Sequence, residues 1–71
     1  MKKKIGILGS TGSIGENTVK IINNNKKNFN VIFLSTNTNV KKLLSQSLIL
    51  KPKSVIIFDK KKYKKFKKKF I

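Results

Sequence analysis

The apolar run Ile5-Gly6-Ile7-Leu8 leads directly into Gly9-Ser10-Thr11-Gly12-Ser13-Ile14-Gly15, and from Ile14 onward apolar side chains recur at helical intervals. Few architectures accommodate that succession. A short apolar run closed by glycine reads as a buried strand of the kind found in parallel sheets. Ile14, the Thr18 methyl, Val19, Ile21 and Ile22 follow helical spacing until Asn23, Asn24 and Asn25 stop it. The glycines therefore occupy the turn between a strand and a helix. There Gly9 permits a tight turn, Gly12 lets a ligand approach the backbone, and Gly15 permits close packing of helix on strand. The free N–H groups and the positive dipole end of the helix start favour an anion, and Thr11 and Ser13 add hydroxyl donors. A pyrophosphate suits such a turn.

The rest of the chain repeats the alternation. Val31 to Leu34 is a second β-prone run, followed by the turn-forming and capping residues Ser35-Thr36-Asn37-Thr38-Asn39. Asn39 is placed to cap a helix whose apolar stripe is Val40, Leu43, Leu44, Leu48 and Ile49, with Pro52 closing the segment. Ser54 to Phe58 gives a third strand, and Asp59 is placed to cap a last helix that sets Tyr63, Phe66 and Phe70 against the sheet. The order β-α-β-α-β-α predicts the α/β class: part of a doubly wound, Rossmann-like parallel sheet, spanning residues 1–71 as one unit.

The end of the second strand bears on which dinucleotide such a turn takes. An NAD site usually places an acid there, about 20 residues after the glycines, to bond the ribose 2′-hydroxyl. Here Ser35, Thr36, Asn37, Thr38 and Asn39 supply hydroxyls and amides with Lys41 and Lys42 behind them, so a 2′-phosphate meets no carboxylate. NADP is the expected dinucleotide. Thr36 is the strand-end position at which an added carboxylate is expected to reverse that preference.

Composition removes most other chemistry. Without Cys or His, and with its two acids, Glu16 and Asp59, 43 positions apart, the chain offers no thiolate or imidazole metal site, nucleophile–His pair or acid/base dyad. Its 71 residues carry 18 Lys, no Arg and a net charge of +16. A small basic polyanion-binding protein is one alternative reading of that charge. Against it, Lys, Ile and Asn make up 36 of the 71 residues, a skew that A/T-rich codons produce unaided. The absence of Arg, whose fork makes the commonest specific base contact, also argues against nucleic acid. The basic start Lys2-Lys3-Lys4 is followed by too short an apolar run for a signal peptide, and no stretch approaches the roughly 18 apolar residues of a membrane span. Eight lysines between Lys60 and Lys69 read as the solvated face of a helix and repel one another at low salt.

Lys4 to Gly15 with Thr18 resembles the opening of the 1-deoxy-D-xylulose 5-phosphate reductoisomerase family, in which GSTGSIG is a signature. Phe29 with Val31, Asn39-Val40, Leu43-Leu44 with Gln46, and Pro52-Lys53-Ser54-Val55 running to Asp59 sit at similar intervals in that family. The glycine spacing GxxGxxG is shared with other reductases, which form a second alternative. The resemblance implies a cytoplasmic homodimeric enzyme of the non-mevalonate isoprenoid pathway. Such an enzyme rearranges 1-deoxy-D-xylulose 5-phosphate and reduces the product aldehyde with NADPH to 2-C-methyl-D-erythritol 4-phosphate, using Mg or Mn. It implies further that Thr11, Gly12, Ser13 and Ile14 hold the pyrophosphate and adjoining ribose, and that Asn37, Thr38 and Asn39 line the 2′-phosphate end. The family often has Gly or Asn followed by Lys, Arg or Ser where this chain has Asn37-Thr38, and Thr supplies no charge. Family members are several times longer, so the chain is expected to be an N-terminal fragment whose catalytic residues and metal ligands lie elsewhere.

That inventory predicts that the 71-residue chain alone is inactive as a reductoisomerase. NADPH oxidation in the presence of 1-deoxy-D-xylulose 5-phosphate and Mg²⁺ or Mn²⁺ is expected to stay at background. Turnover that tracks the purified chain refutes the expectation.

Overall fold

In a computed structural model, residues 2–70 are described, with the side chains of residues 69 and 70 outside the description. Strand β1 (Lys3–Ile7) leads through the glycine turn to helix α1 (Ser13–Asn23), and a short 3-10 turn (Lys26–Asn28) brings the chain to β2 (Phe29–Thr36). Helix α2 (Val40–Leu50), strand β3 (Ser54–Ile57) and helix α3 (Lys60–Phe70) follow. The three strands are parallel in the order β1-β2-β3, as the alternation of strands and helices requires. Being central, β2 contributes the largest buried share, with Val31, Leu34, Ser35 and Thr36 all inside.

One register shift shapes the sheet. Ile5 lies opposite Val31, but Gly6 lies opposite Phe33, so the pairing slips at Ile32. Gly6 has no side chain because the Phe33 ring lies across it, occupying the place of a Cβ. Past the slip, Ile7 and Leu34 share a row with Val55 in β3. Ile7, Val31, Leu34 and Ile57 from the strands then meet Val19 and Ile22 of α1 and Leu43 and Leu50 of α2 in one core.

The helices turn differently from the stripes expected of them. In α1 the buried positions are Gly15, Val19 and Ile22, whereas Ile14, 84% exposed, and Ile21 face outward. In α2 they are Leu43, Gln46 and Leu50, and Leu48, 79% exposed, and Ile49 lie outside. Both sets fall three, four and seven apart, so helical periodicity holds while its phase is rotated. The cause is the glycine turn: α1 approaches the sheet on Gly15, and α2 turns Gln46 inward to meet the turn's backbone. Leu8 and Phe58 are likewise exposed beyond strand ends that come one residue earlier than expected.

The expected punctuation is in place. Asn39 Oδ1 accepts the Lys42 N–H at 3.1 Å, and Asp59 Oδ1 accepts that of Lys62 at 2.9 Å, each serving as a helix cap. Lys51 follows α2 in the left-handed region (φ 50°) and returns its N–H to the Ser47 carbonyl at 2.9 Å, ahead of Pro52. On α3, Phe66 packs against the core and Tyr63 is exposed, which corrects its expected place on the sheet; the Phe70 side chain lies outside the described residues.

The helix phase has a measurable consequence. Leu43→Ala empties a fully buried site and is expected to cost about 2–5 kcal/mol, enough to unfold much of a chain this small. Leu48→Ala is expected to change stability by less than about 0.5 kcal/mol. Urea unfolding of both variants checks this, and similar losses would mean that the stripe read from sequence is the true one.

Candidate functional site

The three glycines of the turn answer three different physical demands. Gly9 adopts φ +67°, a conformation that side chains rarely tolerate, and its carbonyl accepts the Gly12 N–H at 3.1 Å to close the turn. A Cβ on Gly15 would strike the Gly9 carbonyl oxygen and the Ser10 backbone, so this glycine lets α1 rest on the turn. Gly12 differs from both. Its backbone is extended (φ −78°, ψ 173°), and a Cβ there would meet nothing closer than the Gly9 oxygen at 3.5 Å. Nothing among the described residues requires glycine at position 12.

Gly12 is also the N-cap of α1, and no side chain caps the helix. The first backbone N–H bonded within the helix is that of Glu16, donated to the Gly12 carbonyl at 2.7 Å. The N–H groups of Ser13, Ile14 and Gly15 are thus left without an acceptor among the described residues, at the positive end of the helix. They border an open groove lined by Leu8, Gly9, Gly12, Ser13, Ile14, Gly15 and Thr18. A second groove, among Lys2, Ile22, Lys26, Phe29 and Lys51, lies where the strands begin and α1 and α2 end. Helix carboxyl ends offer carbonyls, and ligands of open parallel sheets bind beyond the carboxyl ends of the strands, so the glycine groove is the candidate site.

Beneath the turn lies a cluster comprising the buried polar side chains Ser10, Ser35, Thr36 and Gln46. Ser35 extends the β1–β2 ladder past the end of β1: its hydroxyl accepts the Gly9 N–H at 2.8 Å and donates to the Ile7 carbonyl at 3.3 Å, while its carbonyl accepts the Ser10 N–H at 2.9 Å. Gln46 grips Ser10 twice. Its Nε2 donates to the Ser10 carbonyl, and the Ser10 hydroxyl donates to its Oε1, both at 2.7 Å. Thr36, 2% exposed, shares a hydroxyl–hydroxyl bond of 2.7 Å with Thr11 and accepts the Asn39 N–H at 3.1 Å. Among the described residues no buried side-chain polar atom lacks a partner.

The Thr11–Thr36 bond brings the two candidate regions together, with the glycine turn and the Asn37-Thr38-Asn39 loop along the same end of the sheet. Asn37, Thr38 and Asn39 are exposed; Asn39 Oδ1 is committed to its cap, which leaves its amide nitrogen as a donor. One expectation needs correction. Buried Thr36 organises the loop from beneath, so a carboxylate there would break the Thr11 pair and bury a charge; the exposed strand-end position is Asn37. Behind the loop, Lys42 pairs with Glu16 across the α1–α2 contact. The chain's other acid, Asp59, comes beside the loop through its N–H to the Asn37 carbonyl at 3.0 Å, while its carboxylate caps α3.

The turn and the loop are legible in the sequence, whereas Ser10, Ser35 and the structural part played by Gln46 do not stand out there. The available signal was polarity out of place, with Ser35 and Thr36 closing a buried strand and Gln46 three residues after core Leu43.

Comparison with known proteins agrees with this geometry. The 1-deoxy-D-xylulose 5-phosphate reductoisomerase family model matches residues 5–71. The reductoisomerase of Wigglesworthia glossinidia brevipalpis is 54% identical over 61 residues, covering 84% of this chain and 15% of the relative. That of Pelagibacter ubique is 49% identical over 57 residues, covering 80% and 15%. The structure of the Zymomonas mobilis reductoisomerase in complex with NADPH superposes with a TM-score of 0.90 at 34% identity, over 96% of this chain and 18% of that one. The chain therefore spans about 15% of the length of these curated relatives. With nearly every residue inside the family match, and with the turn built as described, the chain belongs to the 1-deoxy-D-xylulose 5-phosphate reductoisomerase family.

Proposed function

We propose that residues 1–71 form the opening part of an NADPH-binding domain and that the turn from Gly9 to Gly15 takes the cofactor's pyrophosphate. The observation that carries this reading is Gly12, a glycine that the chain's own packing does not require, at an uncapped helix start facing an open groove. A phosphate there accepts the N–H groups of Ser13, Ile14 and Gly15. Thr11 adds a hydroxyl: when Thr36 donates to it, Thr11 keeps its own proton for the ligand. Exposed Ile14 offers an apolar surface to the adjoining ribose, and Asn37, Thr38 and the Asn39 amide receive the 2′-phosphate. The NADPH complex of the Zymomonas mobilis relative supports this choice of cofactor.

In the full-length protein, bound NADPH supplies hydride for reduction of the aldehyde formed when 1-deoxy-D-xylulose 5-phosphate rearranges. The present residues bind and orient the cofactor for that reaction, in an enzyme expected to be a homodimer. They do not fit the divalent metal that the family implies. Among the described residues no three His, Cys, Asp or Glu side chains cluster, Glu16 is paired with Lys42, and Asp59 is engaged as a cap. No helix among the described residues is long and apolar enough to cross a membrane.

Titration of the chain with NADPH and NADH at fixed ionic strength tests the reading. NADPH is expected to bind more tightly, and Asn37→Asp to narrow or reverse the difference, since charges about 4 Å apart at a partly exposed site interact by about 1–4 kcal/mol, tenfold or more in affinity. Equal wild-type affinities would refute the 2′-phosphate assignment.

A separate comparison isolates the turn from the chain's general positive charge. Gly12→Val is expected to weaken NADPH binding at least tenfold, and Lys64→Gln with Lys65→Gln only slightly. Equal losses would mean that attraction to a +16 chain accounts for the binding.

A further inference from the structure

We propose that Gln46 is a positioning residue for the phosphate turn: from α2 it holds the backbone of Ser10, and through Ser10 it sets where the start of α1 points. The proposal rests on the dinucleotide reading of the turn.

Gln46 is only 6% exposed, in the row of α2 that also buries Leu43 and Leu50. A Leu there would continue the apolar stripe, whereas a buried amide is unfavourable unless its polar atoms are bonded. Both are bonded, and both to Ser10: Nε2 donates to the Ser10 carbonyl and Oε1 accepts the Ser10 hydroxyl, each at 2.7 Å. The two contacts close a ring that fixes the peptide after Ser10 and its hydroxyl together. From the other side, the Ser10 N–H donates to the Ser35 carbonyl at 2.9 Å, and the same oxygen, 3.1 Å from the Ser10 hydroxyl, is a second acceptor for its one proton. Ser10 is thereby held between α2 and β2, immediately after Gly9, whose positive φ sets the turn.

Ser10 is in turn the seat of α1. Its Cα and carbonyl carbon would lie 2.6 and 2.8 Å from a Cβ on Gly15, so the first turn of α1 rests directly on the backbone that Gln46 holds. The free N–H groups of Ser13, Ile14 and Gly15 belong to that same helical turn. Loss of the Gln46 clamp leaves the Ser10 carbonyl without the buried amide and lets the seat shift. Such a shift re-aims donors that must converge on one phosphate, which is where orientation matters most for binding. Gln46 touches no part of the groove itself and acts through Ser10.

Gln46→Met keeps the side-chain volume and removes both bonds. Gln46→Glu keeps an acceptor for the Ser10 hydroxyl and removes the donor to the Ser10 carbonyl. Ile22→Val, in the core near the opposite end of α1, serves as a control that lowers stability without touching the clamp. Each 71-residue variant is titrated with NADPH, and the backbone amide shifts of Gly9, Gly12 and Gly15 are recorded without cofactor. Gln46→Met is expected to raise Kd at least tenfold and to move the three glycine amides. Gln46→Glu is expected to do both to a smaller degree, and Ile22→Val to do neither. Wild-type affinity in Gln46→Met, or a loss matched by Ile22→Val, overturns the positioning role; should Gln46→Met fail to fold, unchanged Kd and glycine shifts in Gln46→Glu overturn it equally. Failure of the dinucleotide reading is distinct: wild-type binding then proves insensitive to Gly12→Val, whatever the glycine amides do in the Gln46 variants.

Discussion

The buried cluster of Ser10, Ser35, Thr36 and Gln46 is the constraint on which the rest of this small fold depends. Polar side chains inside an 8.1 kDa protein are costly unless every one is satisfied, and this cluster meets that condition by joining β1, β2 and α2 beneath one turn. The apolar core beside it is non-directional and tolerates small rearrangements of its contents. Hydrogen bonds of 2.7–3.3 Å between identified atoms do not. The core thus holds the layers together, and the cluster decides where the turn sits on them.

The parts of the molecule legible in the sequence are those encoded by neighbours along the chain. The alternation of strands and helices, the caps Asn39 and Asp59, the tight turn at Gly9 and the packing glycine at position 15 all depend on residues within a few positions of one another. Helix phase was not legible. Leu48 and Ile49 looked internal because they continue an apolar spacing, but the face that a helix buries is set by what lies opposite, here a backbone carbonyl 36 residues earlier in the chain. Thr36 departs from its expected place for a related reason: its position as the last residue of β2 is visible in the sequence, whereas its contact with Thr11 across 25 residues is not. Asn37, Thr38 and Asn39 were identified correctly as a loop because loop chemistry is local.

The glycine turn leaves the start of α1 uncapped. In an ordinary helix a Ser, Thr, Asp or Asn at the N-cap would occupy one of the free N–H groups. Hydroxyl residues flank Gly12 on both sides, yet Thr11 is directed to Thr36, and α1 has no side-chain cap. The free chain thus forgoes a small stabilisation at this helix start, which the phosphate proposed above would restore. The surrounding charge adds attraction without direction, because the two acids are already engaged and the net charge of +16 draws any phosphate toward the protein.

Strand β1 pairs with β2 on one side and has no partner on the other among the described residues, so it presents a row of backbone groups able to accept a further strand. Lys3 and Lys4 of this strand, with Lys2 just before it, are all exposed, and like charge is a common guard against the joining of two copies. Ionic strength consequently pulls on the molecule in opposite senses. Dilute buffer keeps the edges of neighbouring molecules apart while the lysines of α3 strain against one another. Concentrated salt relaxes α3 and removes the same repulsion from β1. The conditions that best preserve the last helix are therefore those under which the first strand is least protected from its own kind.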